Sequence, residues 1–166
     1  MDLLELQTLA DELIEDRIVA CGAYELAVRR FDAGSPADHD SSAHHLTRFY
    51  NVVEQMALRV AKAFENTVDD EKGWHTELIR RLSIPIAGVR PAFLPAEVRQ
   101  PLHELRAFRH VFVHAYDLEL DPEKLALVLK YGRRVAEVLP QLVVEFLTTV
   151  AKEQGLEMPQ LRHGRS

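Results

Sequence analysis

Apolar residues recur in steps of three and four along most of the chain, the spacing of helices that each bury one face. The first such seam is Leu6, Leu9, Leu13, Ala20, Tyr24, Ala27 and Phe31, interrupted by Arg17, and predicts a helix over residues 2–32. Asp11, Glu12, Glu15 and Asp16 lie off that seam, and Gly34-Ser35-Pro36 stops it. A second helix is expected to start with Ser41 or Ser42 as its N-cap and to run to about Asn66. Its buried stripe reads Leu46, Phe49, Val53, Met56, Val60, Ala63 and Phe64, and its polar face His44, His45, Arg48, Asn51, Glu54, Gln55 and Arg59.

A charged link, Asp69 to Gly73, leads into a short helix over 74–82, in which Trp74 is expected to pack. Residues 83–95 hold Pro85, Gly88, Pro91 and Pro95 among Ile84, Ile86, Val89, Phe93 and Leu94, the mark of a loop with buried anchors. The fourth helix begins near Pro95 and passes through Leu102, Leu105, Phe108 and Phe112. It breaks at 117–122, where Asp121 can cap a last helix over about 122–153. There the seam Leu125, Val128, Gly132, Val135, Leu139, Leu142, Phe146 and Val150 includes a glycine suited to close backbone approach, and Pro140 is expected to kink the helix. No stretch alternates like a strand. The expected fold is all-α, an antiparallel bundle of four long helices and one short one, with a single domain over 1–155 and a polar, flexible tail over 156–166.

With 166 residues the chain can bury one real core. No apolar run approaches the roughly 20 residues that span a bilayer. The acidic start Met1-Asp2-Leu3-Leu4-Glu5 is unlike a secretory signal, so a cytoplasmic protein without membrane contact is expected. A lone Cys21 excludes an internal disulfide framework and multi-cysteine zinc sites. The net charge of −6 argues against indiscriminate coating of nucleic acid. Yet residues 75–114 carry Arg80, Arg81, Arg90, Arg99, Arg106 and Arg109 against Glu77, Glu97 and Glu104, a local +3 that could hold a polyanion.

The densest chemistry is the octet Arg109 to Tyr116, RHVFVHAY. His103, Arg106, His110, His114 and Asp117 follow helical steps and form a polar face. Arg109 and His114 are five apart, about 140° around a helix axis, so one straight helix cannot aim both at one small target. A helix break, a wrapped arginine or a second copy of the helix would be needed. His110 and His114, four apart, have metal-ligand spacing, but Val111, Phe112 and Val113 between them supply no carboxylate. Nucleophile elbows and glycine-rich phosphate loops are absent. Arginine with histidine remains, a pair that can hold a phosphate and exchange a proton near neutral pH.

At these residues the sequence resembles the HEPN-domain ribonucleases, whose signature runs Arg, a polar residue, three more, His, one residue, Tyr. The HepT-like toxins of toxin–antitoxin pairs are the most similar group, and the likeness in helix order covers roughly residues 2–153. Arg109, His114 and Tyr116 match the signature, and His110 stands where Asn is frequent. The resemblance implies a two-fold homodimer with facing motifs and cofactor- and metal-independent RNA cleavage through 2′-hydroxyl attack. His114 would be the general base or acid, Arg109 the phosphate clamp and His110 a supporting group. Arg106 and His103 are candidate RNA contacts on the same face. It also implies a minimal nucleotidyltransferase antitoxin that silences the site by transferring AMP to Tyr116. Two other readings stand beside it. The chain could be a non-catalytic helical subunit that binds substrate or nucleotide for such a nucleotidyltransferase, or Arg109 and His114 could simply satisfy polar groups at a helix end.

Overall fold

A computed structural model of the chain describes residues 1–65, 74–114 and 119–161. They form five helices and no strands: α1 (Leu3–Ala33), α2 (Pro36–Glu65), α3 (Trp74–Leu82), α4 (Ala96–His114) and α5 (Pro122–Gln154). The expected Asp69–Gly73 link and the helix break at Asp117 lie outside the described residues.

The α1–α2 hairpin is the largest interface of the bundle. Asp2 and Glu5 close a capping box at the start of α1, and Gly34, at φ +86°, takes the left-handed turn after its end. The second helix begins at Pro36, five or six residues before the expected Ser41 or Ser42. Ser35 is what starts it: its Oγ accepts from the Asp38 amide (3.1 Å) and donates to the Asp38 carboxylate (2.5 Å), and Pro36 suits the first helical position. Ser42 is fully buried, and its hydroxyl donates to the Ala27 carbonyl of α1 (2.6 Å), so it ties two helices together instead of capping one. Ala63, expected on the buried stripe, is exposed, while Ala57 and Ala61 are buried. Farther along the hairpin Arg59 reaches back to Glu12 (2.7 Å) and Asp16 (2.7 Å), so part of the acidic face of α1 serves helix packing.

Asp121 caps α5 by accepting from the Glu123 amide (2.9 Å), and the helix continues through Pro140. Gly132 does allow a close approach. A Cβ there would lie 3.0 Å from Leu46 Cδ1 and 3.0 Å from Tyr24 Cε2, at the point where α1, α2 and α5 meet. Beyond Gly155, residues 156–161 are held against α1 and do not hang free. Gln7 accepts from the Gln160 amide (2.9 Å) and donates to its carbonyl (3.0 Å), while Leu156 and Leu161 pack on the core. Residues 162–166 lie outside the described set.

Of the five apolar anchors expected in the 83–95 loop, Phe93 and Leu94 are buried, with both amides donating to the Leu82 carbonyl. Ile84 and Val89 face solvent. The largest buried side chain of the loop is Arg90, 1% exposed. It donates to the carbonyls of Arg81, Ile84 and Pro91 and to Glu65 at the end of α2 (Nε–Oε1 2.8 Å). Arg81 lies against the other Glu65 oxygen. A guanidinium with this many acceptors is fully occupied inside the protein, which makes it a strut of the loop and removes it from any polyanion surface.

Candidate functional site

The carboxyl-terminal half of α4 carries Arg109, His110 and His114, and the three side chains go two ways. Arg109 turns inward to α2. Its Nη1 donates to Asn51 Oδ1 (2.8 Å) and Glu54 Oε2 (3.0 Å), and its guanidinium carbon sits 4.7 Å from the centre of the Tyr50 ring. Both hydrogen bonds use Nη1, so among the described residues the opposite edge of the fork makes none. Such an arginine is anchored at one end and able to meet a phosphate with the other.

His114 does not share that direction. Its ring is exposed and lies along α4 itself, 4.6 Å from the His110 ring, with Nδ1 2.8 Å from the His110 carbonyl. A carbonyl can only accept, so Nδ1 carries the proton and Nε2 of the neutral ring presents a lone pair outward. His110 therefore supports His114 twice, by its carbonyl and by its ring. The angular separation read from the sequence persists: Arg109 works across to α2 while His114 stays on its own helix.

The neighbours of Arg109 were not legible as site residues. Glu54, read as part of a solvated face, has only 12% of its side chain exposed. It accepts from Arg109, from the Tyr50 hydroxyl (2.9 Å) and from His75 Nδ1 (2.5 Å) on α3. Burial first, and then the Glu54 charge, push the Tyr50 hydroxyl up, so Tyr50 remains a donor to that carboxylate throughout the working pH range. A signal for Glu54 did exist. Tyr50, Ala57 and Ala61 are buried at steps that pass through position 54, so a carboxylate stands in a buried seam. Trp74, expected to pack, does rest against the core, and its ring also lies tilted against His75, with centroids 3.8 Å apart.

The local positive charge is smaller than the 75–114 window suggested. Arg80 is paired with Glu77, Arg81 and Arg90 with Glu65, and Arg109 with Glu54. Counting the two α2 glutamates with the window takes its +3 to +1. Of the candidate RNA contacts, His103 and Arg106 are half-buried. Arg106 stands three residues before Arg109, about 60° from it around the α4 axis. Tyr116, the remaining candidate, lies outside the described residues. Among the described residues, no three metal-binding side chains converge. No described helix is long and apolar enough to cross a membrane.

Glu54 fixes the attitude of Arg109, and that can be measured. Glu54→Gln keeps the shape and an acceptor but removes the charge, leaving Arg109 with a weaker anchor. If Arg109 takes a phosphate-bearing ligand, that ligand should then be held roughly 10-fold less well, a difference of about 1.4 kcal/mol readable by titration.

A family model described as HepT-like protein matches residues 41–150, from early α2 through most of α5. The chain belongs to the HepT-like family. No curated protein and no solved structure matches it. The HepT-like match includes α2 with Asn51 and Glu54, α3 with His75, and all of α4, so every residue of the network around Arg109 lies inside it. The all-helical bundle agrees with a HEPN-type domain. All of α1, although it packs along α2, precedes the match.

Proposed function

We propose that this HepT-like protein is the toxin of a toxin–antitoxin pair, an endoribonuclease that cuts RNA without metal. One observation carries the reading: a single helix end presents an arginine anchored by Nη1 and a histidine anchored by Nδ1, each with its reactive edge turned away from its anchor. Arg109 takes a non-bridging phosphate oxygen and stabilises the charge that builds on it as the 2′-oxygen attacks. His114 Nε2 accepts the 2′-hydroxyl proton. The products are a 2′,3′-cyclic phosphate and a 5′-hydroxyl. His110 keeps the His114 ring in the required tautomer, while Arg106 and His103 extend the contact along the strand.

The active form is a homodimer in which two α4 ends face one cleft. Apolar surface beside the motif supports this. Val111 is 50% exposed, Val113 55% and Leu127 53%, and a groove of about 430 Å³ between α4 and α5 is lined by Phe108 and Phe112. Exposed apolar patches of this kind mark association surfaces. The antitoxin is a minimal nucleotidyltransferase that transfers AMP to Tyr116. The added phosphate competes for Arg109 and blocks RNA entry.

The test is cleavage of RNA by the purified chain in the presence of a chelator, with cyclic phosphate ends on the products. Co-expression with a minimal nucleotidyltransferase antitoxin should add the mass of AMP at Tyr116 and stop cleavage. An adduct at another residue would overturn the silencing step and leave the ribonuclease reading intact.

A further inference from the structure

Transesterification of RNA needs two proton transfers, one from the 2′-hydroxyl and one to the departing 5′-oxygen, and His114 accounts for the first. The structure holds a second imidazole at the same carboxylate that anchors Arg109. His75, near the start of α3, has 30% of its side chain exposed and brings Nδ1 to 2.5 Å from Glu54 Oε1, while Arg109 occupies Oε2 at 3.0 Å. Glu54 also accepts from Tyr50, so it is already served at both oxygens without His75. Satisfying a buried carboxylate therefore does not require a histidine there. With Arg109 and Tyr50 as donors Glu54 is a carboxylate, so His75 Nδ1 is the donor and Nε2 is the ring's outward nitrogen.

The two histidines differ in what stands behind them. His114 rests on a neutral backbone carbonyl, whereas His75 rests on a carboxylate, which is complementary to a ring carrying positive charge. Trp74 lies against the His75 ring, centroids 3.8 Å apart and planes tilted by 31°, and limits how the imidazole can turn. Resting on the ribonuclease reading above, we propose that His75 is a further catalytic residue, the general acid that protonates the leaving 5′-oxygen through Nε2.

The step balances. The O2′–P bond forms and the P–O5′ bond breaks. The 2′-hydroxyl proton passes to His114 Nε2, and the Nε2 proton of the His75 imidazolium passes to O5′. Each ring finishes in the protonation state in which the other began, and exchange with water resets both. Glu54 then serves two functions at once, fixing the phosphate clamp through one oxygen and the acid through the other. A carboxylate in the buried seam of α2 is where both demands can be met.

The experiment compares two versions of one RNA that the wild-type chain cuts at a mapped bond. One has the natural 5′-oxygen there, and the other has a bridging 5′-sulfur, a leaving group that departs without protonation. His75→Ala should cut the oxygen substrate about 10²-fold or more slowly in single-turnover assays. The same variant should cut the sulfur substrate within about threefold of the wild type, which also shows that it is folded. His114→Ala should be slow on both. Equal slowing of His75→Ala on both substrates would make His75 structural and overturn the assignment while the ribonuclease reading stands, as would a wild-type rate on the oxygen substrate. A wild-type chain that cuts no RNA overturns the ribonuclease reading, and this assignment with it.

Discussion

Replacing His114 with alanine should slow RNA cleavage by roughly 10²–10⁴-fold while moving thermodynamic stability by no more than about 0.5 kcal/mol. The two halves of that expectation come from the same geometry. The ring is exposed and its one hydrogen bond, 2.8 Å to the His110 carbonyl, lies within its own helix, so its removal opens no cavity and strands no buried group. Arg109→Ala should lose as much activity and also cost about 1–3 kcal/mol, because Glu54, with 12% of its side chain exposed, loses a charged partner. Arg109→Lys separates charge from shape. It retains a cation near Glu54 and so most of the stability, but one ammonium cannot hold Glu54 and meet a phosphate as the fork does, so activity should stay low. The measurements are single-turnover RNA cleavage and urea unfolding on the same preparations. Variants that lose stability but cleave at the wild-type rate would show that the helix end is structural, and the ribonuclease reading would fall.

A second large effect lies away from the site. Arg90→Met should destabilise the protein by about 3–5 kcal/mol, on the order of 10 °C or more in unfolding temperature. The Arg90 side chain is fully buried and that of Glu65 is 5% exposed, so truncating the arginine takes the nearest buried cation from that carboxylate and removes a donor from the carbonyls of Arg81, Ile84 and Pro91. The stranded charge is the larger part of that cost, and a second substitution shows it. The double variant Arg90→Met, Glu65→Leu carries no orphaned carboxylate and should recover a good part of the loss. If the double variant is no more stable than Arg90→Met, the cost comes from the carbonyls that Arg90 served instead of the charge. Thermal and urea unfolding of the two variants separate these accounts.

The chain shows how far periodicity carries a reading and where it stops. Helical seams are local, and their spacing was enough to place α1, α3, α4 and α5 to within a few residues and to pick out Gly132 as a contact point. The start of α2 was misread because Ser42 and Ser35 are both good caps in isolation. What separates them is that Ser42 faces Ala27 across the hairpin, a fact of tertiary packing. Arg90 was counted as surface charge for a similar reason, since nothing near it in sequence announces Glu65, 25 residues earlier. The candidate site divides the same way. Arg109, His110 and His114 stand within one short stretch and could be read as a unit. Glu54 and His75 come from two other helices, 55 and 34 residues before Arg109, and only the fold brings them to it.

The hydrogen bond from His114 to the His110 carbonyl ties the imidazole to the final turn of α4. Helix termini open at free energies well below that of the whole domain, by small excursions that leave the rest intact. Each such excursion releases the ring from its anchor and lets the tautomer scramble. For the proposed cleavage, the share of molecules poised to react at any instant is then the closed share of that turn. Sub-global opening, and not cooperative melting of the bundle, would then set the upper working temperature of the proposed cleavage.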